Sequence, residues 1–343
     1  MRLSKKDWID AELDFSKEEW NELLRLSAEI KRNPTKFRNS LTDKTLFILT
    51  YNQSLRTRIG FEVAIRELGG FASVLTSEGI YKPALKGEEI PYSTERISDI
   101  AKILSSYGHG LAMRMYGDPT NWIYGKGNHT LKEFGKNLTI PMISMECDKF
   151  HPGEALSDMF TLRESLGNLE GRKLVISWAY SGSTHKPLAV PQSALLAATK
   201  MGMDVVLAYP EEIALDSEII KTASSFAEKN KGNFSICHDM EESFKDADAV
   251  YPKSWGVLSC FGSEKVPGLR EEESVNIFNK YKHWICDEKM MKNAKPGAKY
   301  MHCLPCDRGQ EVTDNVVDGE NSLAFQQAYN RLHTNKSILL STM

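Results

Sequence analysis

Short apolar runs alternate with amphipathic stretches along almost the whole chain. Thr45–Thr50 (TLFILT) is apolar on both faces of a strand, as expected for a parallel sheet covered on both sides. The same reasoning predicts strands at Ala72–Thr76, Gly110–Arg114 and Pro141–Glu146. Further strands are predicted at Lys173–Trp178, Asp204–Tyr209, Phe234–His238, Ala249–Lys253, Trp284–Cys286 and Lys299–Leu304. Between them lie helical patterns. Residues 14–32 place Trp20, Leu23, Leu24 and Ile30 on one side, with Asp14 or Ser16 as the cap. Phe61, Ile65 and Leu68 keep helical spacing, and Ser93-Thr94-Glu95 opens a helix to about Ser106. A helix follows His151, and others are expected around 191–201, 216–229, 241–246, 287–293 and 328–340. Residues 77–92 carry Gly79, Pro83, Gly87 and Pro91 and read as a long mobile loop. Strand-helix alternation throughout predicts an α/β protein with parallel sheets.

At 343 residues the chain can form two ordinary domains. A boundary near residue 150 fits, with the helix after His151 as the bridge. Hydrophobic residues make up 41% and charged residues 26%, the balance of a soluble globular protein. A net charge of -3 gives no reason to expect nucleic acid or an acidic membrane as a partner. No apolar run is long enough to span a bilayer, and Met1 to Trp8 lacks the apolar core of a secretory signal. Six scattered cysteines suit reduced thiols of a cytoplasmic protein.

The chemistry concentrates where strands end. Ser54-Leu55-Arg56-Thr57-Arg58 stands between a strand and a helix, where unpaired N–H groups and the positive end of the helix dipole meet. Two hydroxyls and two guanidiniums there suit the oxygens of a phosphate. The same five residues read equally well as an N-capped helix with two solvated arginines. Arg114, His151 and His302-Cys303-Leu304-Pro305 also fall at predicted strand ends, where such sheets bind ligands. All could converge on one crevice between two domains. Cys303 to Cys306 forms a single C-x-x-C, too few ligands for a zinc site. Trp178 to Ser183 stands where a dinucleotide fold would need G-x-G-x-x-G, and only Gly182 is present.

Taken together, these motifs resemble the aspartate/ornithine carbamoyltransferase family. Ser54–Arg58 matches its S-x-R-T-R phosphate motif, and Met113-Arg114-Met115-Tyr116-Gly117 resembles its strand-end arginine. His151-Pro152-Gly153-Glu154 is similar to H-P-x-Q, His302–Pro305 to the H-C-L-P of the ornithine branch, and Ala328-Tyr329-Asn330-Arg331 to A-E-N-R. The S-M-G loop of true ornithine enzymes is absent; Tyr251-Pro252-Lys253-Ser254-Trp255-Gly256 stands there instead. With the proline-containing segment Trp178–Gln192, this resembles the knotted branch: acetylornithine and succinylornithine transcarbamylases and their orphan relatives.

The resemblance implies two doubly wound parallel-sheet domains with the active site between them and a trefoil knot in the second. Residues 1–150 would bind carbamoyl phosphate, with about 328–343 packing back onto them, and 151–327 would bind the amine. It implies carbamoyl transfer from carbamoyl phosphate to an ornithine-like or acylornithine-like amine, releasing phosphate, with no cofactor or metal. Ser54, Leu55, Arg56, Thr57, Arg58, Arg114, His151, Glu154, Cys303, Leu304 and Arg331 would bind carbamoyl phosphate. Arg114, His151, Cys303 and Arg331 would be catalytic, and Glu146, Lys186, Lys253, Trp255 and Cys303 would face the amine. Asp307 and Glu311 stand where acetylornithine enzymes carry basic residues, and Glu154 replaces the family glutamine. Other readings are an orphan enzyme of purine or allantoin breakdown, using oxamate or a ureido compound, and a catalytically dead ligand-binding relative. A homotrimer is expected, in which the Ser77–Tyr92 loop reaches into a neighbouring subunit's site.

Overall fold

A computed structural model describes residues 3–343. Met1 and Arg2, the start of the stretch read for a secretory signal, lie outside the described residues. Among the described residues eleven strands run in chain order: β1 Thr45–Thr50, β2 Phe71–Thr76, β3 Lys82–Ala84, β4 Thr94–Arg96, β5 Gly110–Arg114 and β6 Met142–Glu146. They continue with β7 Lys173–Trp178, β8 Asp204–Ala208, β9 Phe234–Cys237, β10 Ala249–Lys253 and β11 Lys299–Tyr300. The chain divides into two units, residues 1–120, 125–156 and 331–343 in one and residues 121–124 and 157–330 in the other.

In the first unit, β2-β1-β5-β6 form a four-stranded sheet in which every pair is parallel. Its central strands are buried along nearly their whole length, as expected for a parallel sheet covered on both faces. The amino-terminal segment covers the β6 edge: Trp8 N–H donates to Met142 O at 2.8 Å, and Ser144 N–H donates to Trp8 O at 2.7 Å. That pairing removes an exposed sheet edge. Trp8 stacks on Phe15 at 5.2 Å between ring centroids and is wholly buried. Helix Lys17–Arg32 settles the choice of cap in favour of Ser16, which closes a capping box with Glu19. The carboxy-terminal residues belong to this unit too, where Ser337 meets the buried Ser27 hydroxyl at 2.9 Å and Lys336 pairs with Glu67.

In the second unit, β11-β10-β7-β8-β9 form a five-stranded sheet, again wholly parallel. Helix Ala189–Lys200 is buried along its entire length, so its polarity pattern is weak. Trp178 and Trp255 form the centre of a polar-tipped aromatic core. Trp178 Nε1–H donates to Trp255 O at 3.1 Å, and Trp255 Nε1–H donates to Ile213 O at 2.9 Å.

Several expected elements differ. The stretch 77–92 contains β3, and Thr94–Arg96 is β4, its parallel partner, so the helix expected from Ser93 begins at Ile97. Thr94 Oγ1 accepts the Ile90 N–H at 2.7 Å, closing a turn instead of capping that helix. Trp284–Cys286 is not a strand: only Cys286 bridges, to Val312. β11 stops at Tyr300 because His302 N–H turns to Gln327 Oε1 and Leu304 enters the left-handed region at φ 54°. Helices Lys126–Asn137 and Glu271–Lys280 were not anticipated.

Candidate functional site

The first unit gathers Thr57, Arg114, Glu146, His151, Glu154 and Arg331 into one buried, charged cluster. Helix Arg56–Glu67 starts directly after the Ser54 turn, so Thr57 lies in its first turn, where N–H groups lack intrahelical partners. Ser54 Oγ accepts one of these, the Arg58 N–H, at 3.3 Å. Leu55 is 64% exposed, and Arg58 turns to Glu62 at 2.7 Å, one helical turn away.

Arg114 ends β5 and pairs with Glu146 at the end of the neighbouring β6, because the strand register sets the two side by side. Its Nη2 donates to Tyr116 OH at 2.9 Å, and its guanidinium lies 5.1 Å from the Tyr116 ring centroid. Burial works against the charged arginine, but Glu146 and Tyr116 hold its pKa above the ordinary value. Glu146, which the resemblance assigns to the amine, has its carboxylate beside Arg114 and 3.7 Å from His151 Nε2.

His151 is buried, and its Nδ1 accepts the Glu154 N–H at 3.3 Å. Burial, followed by the charges of Arg331 and Arg114, pushes its pKa well down. A neutral ring that accepts at Nδ1 carries its proton on Nε2. That N–H points toward Glu146 and Glu154, 3.7 and 3.6 Å away. Glu154 Oε2 lies 2.9 Å from Arg331 Nη1, and Arg331 Nη2 donates to the Thr57 hydroxyl. Burial raises the Glu154 pKa; Arg331 opposes that rise and Glu146 adds to it.

One residue outside the motifs helps to hold this site. Asn52 Nδ2 donates to Tyr116 O and Asn52 Oδ1 accepts the Tyr116 N–H, both at 3.0 Å. The loop after β1 is thereby tied to the loop after β5. An asparagine two residues past a strand is the only signal the sequence carries for this.

The second unit holds the other expected residues. Glu311 is completely buried; its Oε1 accepts the Ser254 N–H at 2.7 Å and meets Lys253 Nζ at 3.1 Å. Its Oε2 accepts the Asp307 N–H at 2.7 Å and lies 3.4 Å from His302 Nε2. Burial works against the carboxylate, yet Lys253 and His302 hold its pKa well below the ordinary range. Lys253 is raised in turn, because Glu311 outweighs burial. Burial lowers the His302 pKa against the pull of Glu311. The Leu304 N–H donates to His302 Nδ1 at 2.9 Å, holding the His302–Pro305 turn in which Leu304 has left-handed φ and the Leu304–Pro305 bond is cis. Cys303 is buried in that turn.

Lys186 lies in the segment after β7 and pairs with Asp307 at 2.8 Å; Ser181 Oγ donates to the same carboxylate oxygen. Gly256 lets this segment in: its N–H donates to Lys186 O at 3.1 Å, and a Cβ there would stand 2.7 Å from that carbonyl. Trp255, expected to contact the amine, is instead wholly buried with its N–H spent on Ile213 O, since burying the indole outweighs exposing it in a loop. Among the described residues no group of three or more His, Cys, Asp or Glu side chains is placed to hold a metal ion, and no helix is long and apolar enough to cross a membrane.

Comparison with known proteins addresses the whole chain. Residues 6–164 match the family model described as aspartate/ornithine carbamoyltransferase, carbamoyl-P binding domain, and residues 176–342 match the Asp/Orn binding domain of the same family. The N-acetylornithine carbamoyltransferase of Xanthomonas campestris pv. campestris is 34% identical, over 98% of this chain and 96% of that one. The ornithine carbamoyltransferase of Thermococcus kodakarensis is 33% identical, over 96% of this chain and 94% of its own. A crystal structure of acetylornithine transcarbamylase complexed with acetylcitrulline superposes with a TM-score of 0.90 at 32% identity, covering 99% of each chain. Two matched domains, full-length relatives and a shared fold agree with the motifs at the strand ends: the chain is a carbamoyltransferase and belongs to the aspartate/ornithine carbamoyltransferase family.

Proposed function

We propose that the protein transfers the carbamoyl group of carbamoyl phosphate to the amino group of an ornithine-like or acylornithine-like substrate and releases phosphate. The observation that carries this reading is the buried cluster around Glu154. Its Oε1 has no hydrogen-bond partner among the described residues, beside two arginines and a neutral histidine. An acceptor, two cations and an Nε2–H donor are what a carbamoyl group joined to phosphate would engage.

In this reading Ser54, Arg56, Thr57 and the N-terminus of their helix take the phosphate, with Leu55 and Arg58 contributing backbone. Arg114 and the His151 Nε2–H face the carbonyl oxygen, where negative charge grows as the amine attacks. Arg331 and Glu154 hold the carbamoyl NH2, and Cys303 and Leu304 keep the carbamoyl-binding role that the H-C-L-P resemblance gives them. Residues 1–150 with the carboxy-terminal helix then form the carbamoyl phosphate domain. Residues 151–327 form the amine domain, with Lys186 and Lys253 as its polar contacts. The threaded knot of the resembling branch belongs to that second domain.

Titration of carbamoyl phosphate by calorimetry, followed by phosphate release with ornithine and N-acetylornithine, tests the reaction. Absence of carbamoyl phosphate binding would overturn it. A homotrimer in the cytoplasm completes the proposal. Ile103 and Tyr107, one turn apart on helix Ile97–Tyr107, are 51% and 72% exposed, which suits a covered face. The six free cysteines suit a reducing compartment. A monomeric mass in sedimentation equilibrium would refute the trimer.

A further inference from the structure

The two lysines assigned to the amine are not spare cations. Lys253 meets Glu311 at 3.1 Å and Lys186 meets Asp307 at 2.8 Å, so two positive charges face two negative ones within the second unit. His302, its pKa lowered by burial, adds no charge near neutrality. The two pairs differ in kind. Glu311 is completely buried and spends both oxygens on Ser254, Asp307, Lys253 and His302, so it cannot turn to a ligand. Asp307 has a side chain 36% exposed. Its Oδ2 takes Lys186 and the Ser181 hydroxyl, while its Oδ1 meets no hydrogen-bond partner among the described residues. Lys186, at 19% exposure, keeps ammonium protons beyond the one given to Asp307.

A ligand tail bearing only a carboxylate would lose its hydration here without meeting an uncompensated cation. A tail bearing both an ammonium and a carboxylate finds each charge answered, Asp307 Oδ1 for the ammonium and Lys186 for the carboxylate. We propose that the Lys186–Asp307 pair reads the free α-amino, α-carboxylate zwitterion of the amine substrate, selecting a diamino acid of the ornithine class over its N-acylated form. The inference rests on the carbamoyltransferase reading above and narrows its substrate. The device is one of specificity: acylation removes the ammonium and leaves Asp307 facing a neutral amide.

Norvaline and N-acetylnorvaline, which lack the attacking amine, serve as probes in calorimetry on the whole protein saturated with carbamoyl phosphate. Norvaline should bind about tenfold more tightly, the worth of one hydrogen-bonded charge. Asp307→Asn keeps the volume and an acceptor for Ser181 but leaves Lys186 uncompensated, so the preference should reverse toward the anionic N-acetylnorvaline. Equal or tighter binding of N-acetylnorvaline by the native protein, or binding of neither, would overturn the proposal, and this holds even if the variant fails to fold. An unchanged ratio in a folded Asp307→Asn would overturn it as well. The prior titration with carbamoyl phosphate separates the two levels: if it fails, the reaction itself is misassigned, and this inference falls with it.

Discussion

Glu154 holds one carboxylate oxygen 2.9 Å from Arg331, while its other oxygen, equally buried, has no hydrogen-bond partner among the described residues. A buried acceptor left open is costly in a resting protein and useful in one that closes on a ligand amide. The family pattern expects glutamine at this position, so the charge is a property of this chain. Glu154→Gln should retain activity and tighten carbamoyl phosphate binding by up to about tenfold, since it removes a negative charge beside a dianion. Calorimetry measures this. If the native protein is inactive with every amine tried and the glutamine variant alone turns over, the native chain is a ligand-binding relative instead.

The same pair sets a stability prediction. Arg331→Met leaves Glu154 buried without its counter-ion and should cost about 3–5 kcal/mol in urea unfolding. Adding Glu154→Gln should recover most of that loss. A double variant no more stable than the single one would place the cost elsewhere.

Arg56 stands at the start of a helix and is only half-buried, so removing it should not disturb packing. Arg56→Ala should weaken carbamoyl phosphate binding by about a hundredfold, the scale of a charge-assisted phosphate contact, with an unchanged circular dichroism spectrum. Unaltered affinity would remove the Ser54 turn from the phosphate site.

Asn52 ties the loops after β1 and β5 through two hydrogen bonds to Tyr116. Asn52→Ala should cost about 1–3 kcal/mol of stability. It should also weaken carbamoyl phosphate binding several-fold, although Asn52 is assigned no contact with it, because Arg114 loses its register to the Ser54 turn. Thermal unfolding and calorimetry on the same sample would check both.

Glu311 has a pKa held well below its ordinary value of 4.5, so the folded state binds its proton less readily than the unfolded state does. The stability it contributes is present above pH 4.5 and is lost as the pH falls through the depressed value. Glu311→Gln should be less stable than the native protein at pH 7 and should lose less stability on acidification below pH 4.5. Melting temperatures taken from pH 7 to 3 would show the two curves converging; parallel curves would count against the buried Glu311–Lys253 pairing.

Much of the fold was legible in the chain, and the reason lies in burial. β1, β5, β7 and β10 occupy the predicted residues because a strand covered on both faces must be apolar at every position. The strand-end motifs were equally readable, since a ligand site in a parallel sheet stands where the apolar run stops. Other features depended on residues far apart in sequence. Thr94 could open a helix or pair with Lys82, and the partner strand decided it. Trp255 could line a pocket or fill a core, and the Ile213 carbonyl that takes its N–H decided that. Glu146 became the counter-ion of Arg114 through the register of β5 against β6. Lys186 and Lys253 read as cations waiting for a substrate until Asp307 and Glu311, 121 and 58 residues further along, were found against them. Local pattern reports whether a residue is buried. Which charge it meets there is set by tertiary contacts, because electrostatic partners have no sequence period.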